Sequence, residues 1–227
     1  MTTLTVLGGS VSPFVRKVRV LLAEKGLDYE LQQVNPFAPP EGWREISPLG
    51  KIPALKDGDR VINDSSVICA YLERRFPKPA LYPGDDFDHA RALWFEEFAD
   101  GGIVPVAGAK VFRPLVLKPL MGGKAEPDPA DLEVAERTVA EELPPLWDYL
   151  ERELGEREYL VGNRLTIADL AVASPFVNLR HAGVAPERKR WPRLRAFLER
   201  MHGRPSFKKL IDEETPVFGK RAGRIAD

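Results

Sequence analysis

Two serine side chains stand where an apolar strand gives way to a helical pattern, and they are the first residues whose types suggest chemistry. Ser10 and Ser12 follow the apolar run 4–7 and the pair Gly8-Gly9. A helix N-terminus has free backbone N–H groups and a positive dipole end, so a hydroxyl there serves either as a cap or as a donor to an anion. This stretch alone favours the cap. The apolar residues at helical spacing after it are Phe14, Val18, Leu21 and Leu22.

The elements that must position these serines begin with a βαβ unit. The helix is expected to stop at Lys25-Gly26, where a basic last turn is followed by a glycine. Residues 29–34 then alternate apolar and polar side chains, which predicts a strand with one buried face. Strand, helix and strand in this order favour a parallel pair joined by a right-handed crossover.

The rest of this domain follows a proline-rich loop. Residues 35–40 include three prolines, which fix φ and remove backbone donors. Asp57-Gly58 between two short apolar runs predicts a hairpin, and Pro53 marks the start of its first strand. Residues 63–66 offer caps for a further helix. The order β-α-β-loop-β-β-α is therefore predicted for an N-terminal domain of residues 1–80.

Only helices are predicted beyond residue 88. Residues 81–88 are assigned to a linker because proline, glycine and aspartate recur there. Residues 89–213 show apolar stripes at helical spacing and no clear strand alternation, which predicts an all-α C-terminal domain, and residues 214–227 are assigned to a tail.

Prolines and glycines complicate this helical half. Residues 101–129 contain so many of both that an irregular region or a set of short helices is expected. Pro144-Pro145 lies within a helical period and should break or kink it, at a cost of about 3 kcal/mol. Thr166 and Asp169 have the spacing of a capping box, which indicates a role in folding rather than in chemistry.

Composition excludes several classes of function. A net charge of −1 gives no global field for nucleic acid. The single Cys69 excludes an intramolecular disulfide and a Cys-rich zinc site, and the three histidines have no ligand spacing, so no metal is expected. The sequence shows no secretory signal and no apolar run long enough to cross a membrane. A cytoplasmic, reducing environment is expected.

Four segments together resemble the glutathione transferase superfamily, and the resemblance covers nearly the whole chain. The segment from Ser12 to Val18 resembles the active-site turn of serine-type members (tau-, theta- or zeta-like, or bacterial). Residues 51–55 are similar to the segment that holds the family's cis-proline, and Asp64-Ser65 to its acidic-serine pair. Residues 162–169 are similar to its C-terminal capping motif. The resemblance implies a thioredoxin-like α/β N-terminal domain followed by an all-α domain.

The resemblance implies that glutathione is the substrate and that Ser12 is the catalytic residue, with Ser10 as the second choice. Only the thiolate of glutathione is nucleophilic, and a free cysteine thiol has a pKa of about 8.5. A hydroxyl that donates to the sulfur stabilises the thiolate and lowers that pKa. A hydrogen bond to a charged group contributes roughly 1.5–3 kcal/mol, which corresponds to about one to two pKa units.

The peptide part of glutathione is assigned to five residues by the same resemblance. Ile52 and Pro53, at a cis bond, would offer a backbone edge that an extended peptide can pair with, as an added strand does. From the residues alone, an ordinary trans proline at a strand start is the more frequent case. Asp64 would meet the ammonium group and Ser65 the γ-glutamyl carboxylate, while Lys51 would meet the glycyl carboxylate.

The electrophile is expected between the two domains. The candidates for this site are Phe14, Phe37, Val106, Lys110, Phe112 and Arg113. A homodimer is implied by resemblance, and neither a nucleic acid nor a membrane is expected as a partner.

Three alternatives to conjugation differ in what they require. A glutathione-dependent isomerase or dehalogenase would use the same thiol site. A non-catalytic interaction scaffold would keep the fold without turnover. Thiol-disulfide exchange needs a cysteine at the active-site turn, where the chain has none, and Cys69 belongs to an apolar helix face and is assigned a structural role. The intact set of residues for the thiol and peptide contacts favours binding of glutathione. Conjugation of glutathione to small hydrophobic electrophiles is the leading hypothesis for what an enzyme with this site would do.

Overall fold

The computed structural model describes residues 3–224, and the chain divides between Pro83 and Gly84 into two units. The first unit is built on a four-stranded sheet of order β2-β1-β3-β4. Strand β1 pairs parallel with β2 and antiparallel with β3, and β3 pairs antiparallel with β4. The predicted βαβ unit and hairpin are confirmed. The strands are β1 (Leu4–Leu7), β2 (Tyr29–Gln32), β3 (Ala54–Asp57) and β4 (Arg60–Asn63).

Three helices complete this unit: α1 (Pro13–Glu24), α2 (Trp43–Ile46) and α3 (Ser65–Arg75). Helix α1 ends as predicted, with Lys25 as its C-cap and Gly26 at a positive φ of 65°. The single turn α2 was not predicted. It brings Trp43 into the core beside Leu7, Val34 and Ala54, and burial of that large ring stabilises a turn too short to form alone.

Four cations on or directly after α1 are buried, contrary to what their residue types suggest, and these are Arg16, Lys17, Arg19 and Lys25. Each has polar partners within the unit, because a buried charge without them is costly. The Arg19 guanidinium donates to the Tyr29 hydroxyl at 2.8 Å. The Lys25 ammonium lies 2.7 Å from the Glu73 carboxylate and donates to the carbonyls of Phe76 and Pro79. These contacts fasten the end of α1 to the end of α3.

The second unit is helical, and its first two long helical stretches contain π-helical segments. Residues 86–121 form one uninterrupted stretch, and residues 129–154 form another. The first comprises α4 (Asp86–Glu97), the π-helical Phe98–Ile103, α5 (Val104–Val106), the π-helical Ala107–Leu117 and α6 (Lys118–Met121). The second comprises α7 (Pro129–Arg137), the π-helical Thr138–Glu142 and α8 (Leu143–Leu154).

Short helical segments were one of the two expectations for residues 101–129, and residues 101–121 are such segments, although they follow one another without a break. Only residues 122–128 are irregular. The expected break at Pro144-Pro145 is corrected, because the second stretch stays helical through both prolines. Each π-helical segment precedes or contains a proline: Pro105, Pro114, Pro119 and Pro144 lie within or just after one. A proline has no N–H for the carbonyl four residues earlier and clashes with that carbonyl. A π-helical turn shifts the hydrogen-bond ladder to the fifth residue, so the chain stays helical past the proline.

Helix α9 (Ile167–His181) is the buried axis of this unit, and every one of its residues except Arg180 is buried. The predicted capping box of Thr166 and Asp169 is present at its start. The Asp169 carboxylate accepts from the amides of Leu160 and Thr166, both at 2.8 Å, and from the Thr166 hydroxyl at 3.1 Å. This one carboxylate joins the start of α9 to the chain that precedes it.

The remaining helices are α10 (Pro192–Gly203), α11 (Pro205–Phe218) and the 3₁₀ helix Gly219–Arg224. The predicted tail 214–227 thus begins inside α11, where Glu214 is buried 3.0 Å from His181; residues 225–227 lie outside the described residues. The division of the chain between Pro83 and Gly84 falls inside the predicted linker 81–88. Leu81 and Tyr82 are buried, and the Asp85 carboxylate caps α4, which begins at Asp86.

The Asp169 carboxylate makes the stability of the helical unit depend on pH. Burial, which disfavours the charged form, outweighs the three hydrogen bonds and raises the pKa of Asp169 to about 6. The folded chain therefore retains this proton at pH values where the unfolded chain has lost it. The free energy of unfolding should gain up to about 3 kcal/mol from this group as the pH falls from 7 to 4.

Asp169→Asn provides the comparison, because an amide does not titrate. The difference in unfolding free energy between the wild type and the variant, measured by urea denaturation, should shrink as the pH rises through about 6. At pH 7 the variant should also be less stable by about 1–3 kcal/mol, since one buried N–H loses its acceptor. A pH-independent difference would contradict this assignment.

Candidate functional site

Ser12 occupies the turn between β1 and α1, and it caps α1. Its Oγ accepts from the Val15 amide at 3.4 Å, and its carbonyl accepts from the Arg16 amide at 2.9 Å. A hydroxyl that accepts in this way still has its own proton to donate. The cap and the donor roles considered from the sequence are therefore compatible in one side chain. Ser10 lies earlier in the same turn, half-buried, and does not cap the helix.

Close packing at Gly8 brings this turn against the segment before β3. A Cβ placed on Gly8 would lie 2.5 Å from a Val15 methyl group and 3.4 Å from the Ile52 Cβ. A Cβ on Gly9 would be in ordinary van der Waals contact with the end of the Ile52 side chain, at 3.8 Å. Val15 is β-branched, so its side chain has few rotamers with which to avoid the clash. A glycine is therefore required at position 8. The start of α1 and Ile52 thus meet at one end of β1.

The peptide bond between Ile52 and Pro53 is cis, as the resemblance implied. Pro53 is buried and Ile52 is half-buried against the core of the sheet. The backbone N–H and C=O of Ile52 make no hydrogen bond within residues 3–224. These two groups form a short free backbone edge just before β3, of the kind that an extended peptide can pair with.

The start of α3 supplies groups for an anion and a cation side by side. Asp64 has a positive φ of 73°, and its Oδ1 caps the helix by accepting from the amides of Ser66 and Val67. Ser65, the first residue of α3, is buried, and its hydroxyl has no hydrogen-bond partner in the part of the chain that the structure describes. The Lys17 ammonium of α1 donates to the Ser66 hydroxyl at 3.0 Å, which holds the two helix starts together.

Two cations lie on or near the residues that precede the cis-proline. The Lys51 side chain is exposed and makes no ion pair among residues 3–224, while its carbonyl accepts from the Ser47 hydroxyl at 2.8 Å. Arg44 was missed from the sequence because α2 was not predicted. Its guanidinium donates to the Pro48 carbonyl at 3.2 Å, and its Cζ lies 3.6 Å from where a Cβ on Gly50 would be.

The residues proposed for the electrophile fall into both units. Phe14 is half-buried on α1, and Phe37 is exposed in the loop after β2. In the helical unit, Lys110 forms an exposed ion pair with Glu142 at 2.6 Å. Phe112 is buried, with its ring centroid 6.4 Å from that of Phe218. The other two candidates, Val106 and Arg113, are half-buried and exposed respectively.

No group of three or more His, Cys, Asp or Glu side chains within residues 3–224 is arranged to hold a metal ion. None of the helices in the described range has the length and apolar character needed to span a membrane.

Comparison with known proteins identifies the family. Residues 11–75 match the family model described as "Glutathione S-transferase, N-terminal domain", and residues 116–214 match that described as "Glutathione S-transferase, C-terminal domain". The chain is 30% identical to Glutathione S-transferase Z2 of Arabidopsis thaliana over 215 residues, 90% of this chain and 89% of that protein.

A second relative and a solved structure extend the comparison. The chain is 28% identical to the Stringent starvation protein A homolog of Haemophilus influenzae, over 95% of this chain and 93% of that protein. The crystal structure of a glutathione S-transferase from Rhodospirillum rubrum superposes with a TM-score of 0.80 at 28% identity, over 92% of this chain and 91% of that chain. Two family models that follow one another along the chain and a relative matched over nearly its full length show that the chain belongs to the glutathione transferase family.

Proposed function

We propose that this chain conjugates glutathione to small hydrophobic electrophiles, with Ser12 as the catalytic residue. The observation that carries the proposal is the capping geometry of Ser12, whose oxygen is engaged by the Val15 amide while its proton remains to donate. Donation to the glutathione sulfur stabilises the thiolate. The thiolate then attacks the electrophilic carbon, an S–C bond forms, and the displaced group leaves with its electron pair or the adduct takes up a proton.

Glutathione is proposed to bind as an extended strand along Ile52. The free N–H and C=O of Ile52 pair with the cysteinyl backbone of glutathione. The Ser65 hydroxyl and the start of α3 accommodate the γ-glutamyl carboxylate, and the Asp64 carboxylate meets the adjacent ammonium group. Lys51 meets the glycyl carboxylate, and Arg44 is a second cation near the same segment.

Contacts with the electrophile, the oligomeric state and the cellular location are part of the proposed function. The electrophile is proposed to meet the sulfur beside Phe14 and Phe37, since aromatic side chains favour a hydrophobic molecule. Val106, Lys110, Phe112 and Arg113 of the helical unit are the other residues proposed to contact it. The working form is proposed to be a homodimer in the cytoplasm, where thiols are kept reduced, and the role to be detoxification. Isomerisation or dehalogenation would use the same thiol site, and product analysis distinguishes these reactions from conjugation.

A non-catalytic scaffold is the second candidate. It is favoured by the likeness to the Stringent starvation protein A homolog, a relative whose name is not that of a transferase. Such a scaffold does not need a hydroxyl donor beside a free backbone edge. Absence of turnover with a panel of aryl halides and enals at saturating glutathione would favour the scaffold over the enzyme.

Ser12→Ala should reduce kcat/KM for conjugation by about one to two orders of magnitude, because a hydrogen bond to a charged sulfur contributes roughly 1.5–3 kcal/mol. Ser10→Ala is the matched control and should stay close to the wild-type value. Ser12→Thr keeps both the cap and the donor and should retain most of the activity, which separates loss of chemistry from loss of folding. A loss in Ser10→Ala with none in Ser12→Ala would move the catalytic role to Ser10.

Asp64→Asn should raise KM for glutathione about tenfold with little change in kcat, because it removes the charge proposed to meet the ammonium group, which lies away from the reacting sulfur. Asparagine also tolerates positive φ and keeps an oxygen for the cap. A glutathione analogue without the amino group provides the check in steady-state kinetics. It should bind wild type and Asp64→Asn alike, and a tenfold difference with this analogue would show that Asp64 acts elsewhere.

A further inference from the structure

The helical unit contains a cavity of about 300 Å³, formed by α9, the loop that follows it, α10 and α11. This volume is at the lower end of the range for small-molecule sites. None of the residues proposed for glutathione or the electrophile lines it. The cavity is therefore a separate candidate for ligand binding, and its interpretation does not depend on the proposed transferase activity.

Part of the wall of this cavity is apolar. Phe176 of α9, Leu198 of α10 and Ile211 of α11 all line it, and all three are buried. Val184 and Ala185, in the loop after α9, are half-buried at its side. Binding of an apolar group against these side chains is favourable, because it removes apolar surface from water.

One cation at the cavity lacks a counter-ion. Arg180 lines the cavity and is the single exposed residue of α9. Its guanidinium makes no hydrogen bond or ion pair within residues 3–224. A guanidinium offers five donors in a planar fork that matches a carboxylate. On a helix that is otherwise buried on all sides, this side chain is placed where an anion in the cavity can reach it.

The acidic groups at the cavity are already paired and do not neutralise Arg180. Glu199 lies 2.9 Å from the Arg195 Nε and 2.6 Å from the Arg188 Nη2. Partial burial opposes ionisation of Glu199, but these two guanidinium groups lower its pKa, so it stays charged and engaged with them. Asp212 is paired with Lys208 at 2.6 Å. The charged residues of the lining are Arg180, Arg195 and Lys208 against Glu199 and Asp212, so the lining has an excess of one positive charge.

We propose that this cavity binds a small monoanionic carboxylate with a linear apolar body, with Arg180 as the counter-ion of its carboxylate and Phe176, Leu198 and Ile211 around its chain. The charge excess selects an anion. The limited volume and the apolar wall select a short aliphatic chain over a polar or bulky body.

Calorimetric titration of the full chain with octanoate tests this site. Binding should be saturable, and Arg180→Gln should weaken it about tenfold or more, since a hydrogen-bonded charge pair is lost. Arg152→Gln makes the same change of charge at an exposed arginine that does not line the cavity, and it should leave the affinity unchanged. Both variants should melt at the wild-type temperature, because Arg180 and Arg152 lie on the surface.

The ligand itself provides further controls. Octylammonium, with the same chain and the opposite charge, should bind far more weakly. Each methylene removed from octanoate should weaken binding by up to about fourfold. Saturating glutathione sulfonate should not displace octanoate, because the two are assigned to different residues.

Four results would overturn the proposal: no saturable octanoate binding, equal binding by Arg180→Gln, equal binding of octylammonium, or displacement by glutathione sulfonate. The last result would assign octanoate to the proposed glutathione site and leave the transferase proposal intact. Conversely, an inactive enzyme that still binds octanoate through Arg180 would overturn the transferase proposal and support this one.

Discussion

The close approach of Gly8 to Val15 and Ile52 is the constraint on which the candidate site depends. Because position 8 has no side chain, the start of α1 can pack directly against the segment that precedes β3. Ser12 therefore lies near a backbone edge that is free to bind a peptide. Lys17 of α1 donates a hydrogen bond to the Ser66 hydroxyl and so holds the start of α3, the third part of the candidate site, beside α1. In the proposed binding mode, residues from these three parts of one unit hold the thiol, the peptide backbone and the γ-glutamyl carboxylate of glutathione.

Local patterns were enough to predict most of this unit. Alternation at residues 29–34, the Asp57-Gly58 turn and the glycine after Lys25 each reflect a backbone preference that acts within a few residues. The cis bond at Pro53 was expected only through resemblance, since spacing alone favours trans. Features that depend on distant partners were missed. Lys25 can be buried because its ammonium group pairs with Glu73 and donates to two backbone carbonyls that are distant in the sequence. No local pattern contains that information.

The helical unit shows the same division between local and distant causes. The capping box at Thr166 and Asp169 was predicted because its spacing is local. Pro105, Pro114, Pro119 and Pro144-Pro145 lie in regions expected to be interrupted, yet the chain stays helical past each of them through π-helical turns. Packing of an apolar face contributes more to helix stability than local propensity does. The cavity beside Arg180 had no signal in the sequence, since its lining comes from three helices and a loop.

The most direct test of the central claim is the ionisation of bound glutathione, followed by ultraviolet absorbance of the thiolate across pH on the wild-type chain, with calorimetry to fix occupancy. The thiol pKa should fall about one to two units below the value of about 8.5 for a free cysteine. A bound glutathione whose thiol titrates as it does in water would contradict the role of the Ser12 hydroxyl. Failure to bind glutathione at millimolar concentration would contradict the site as a whole.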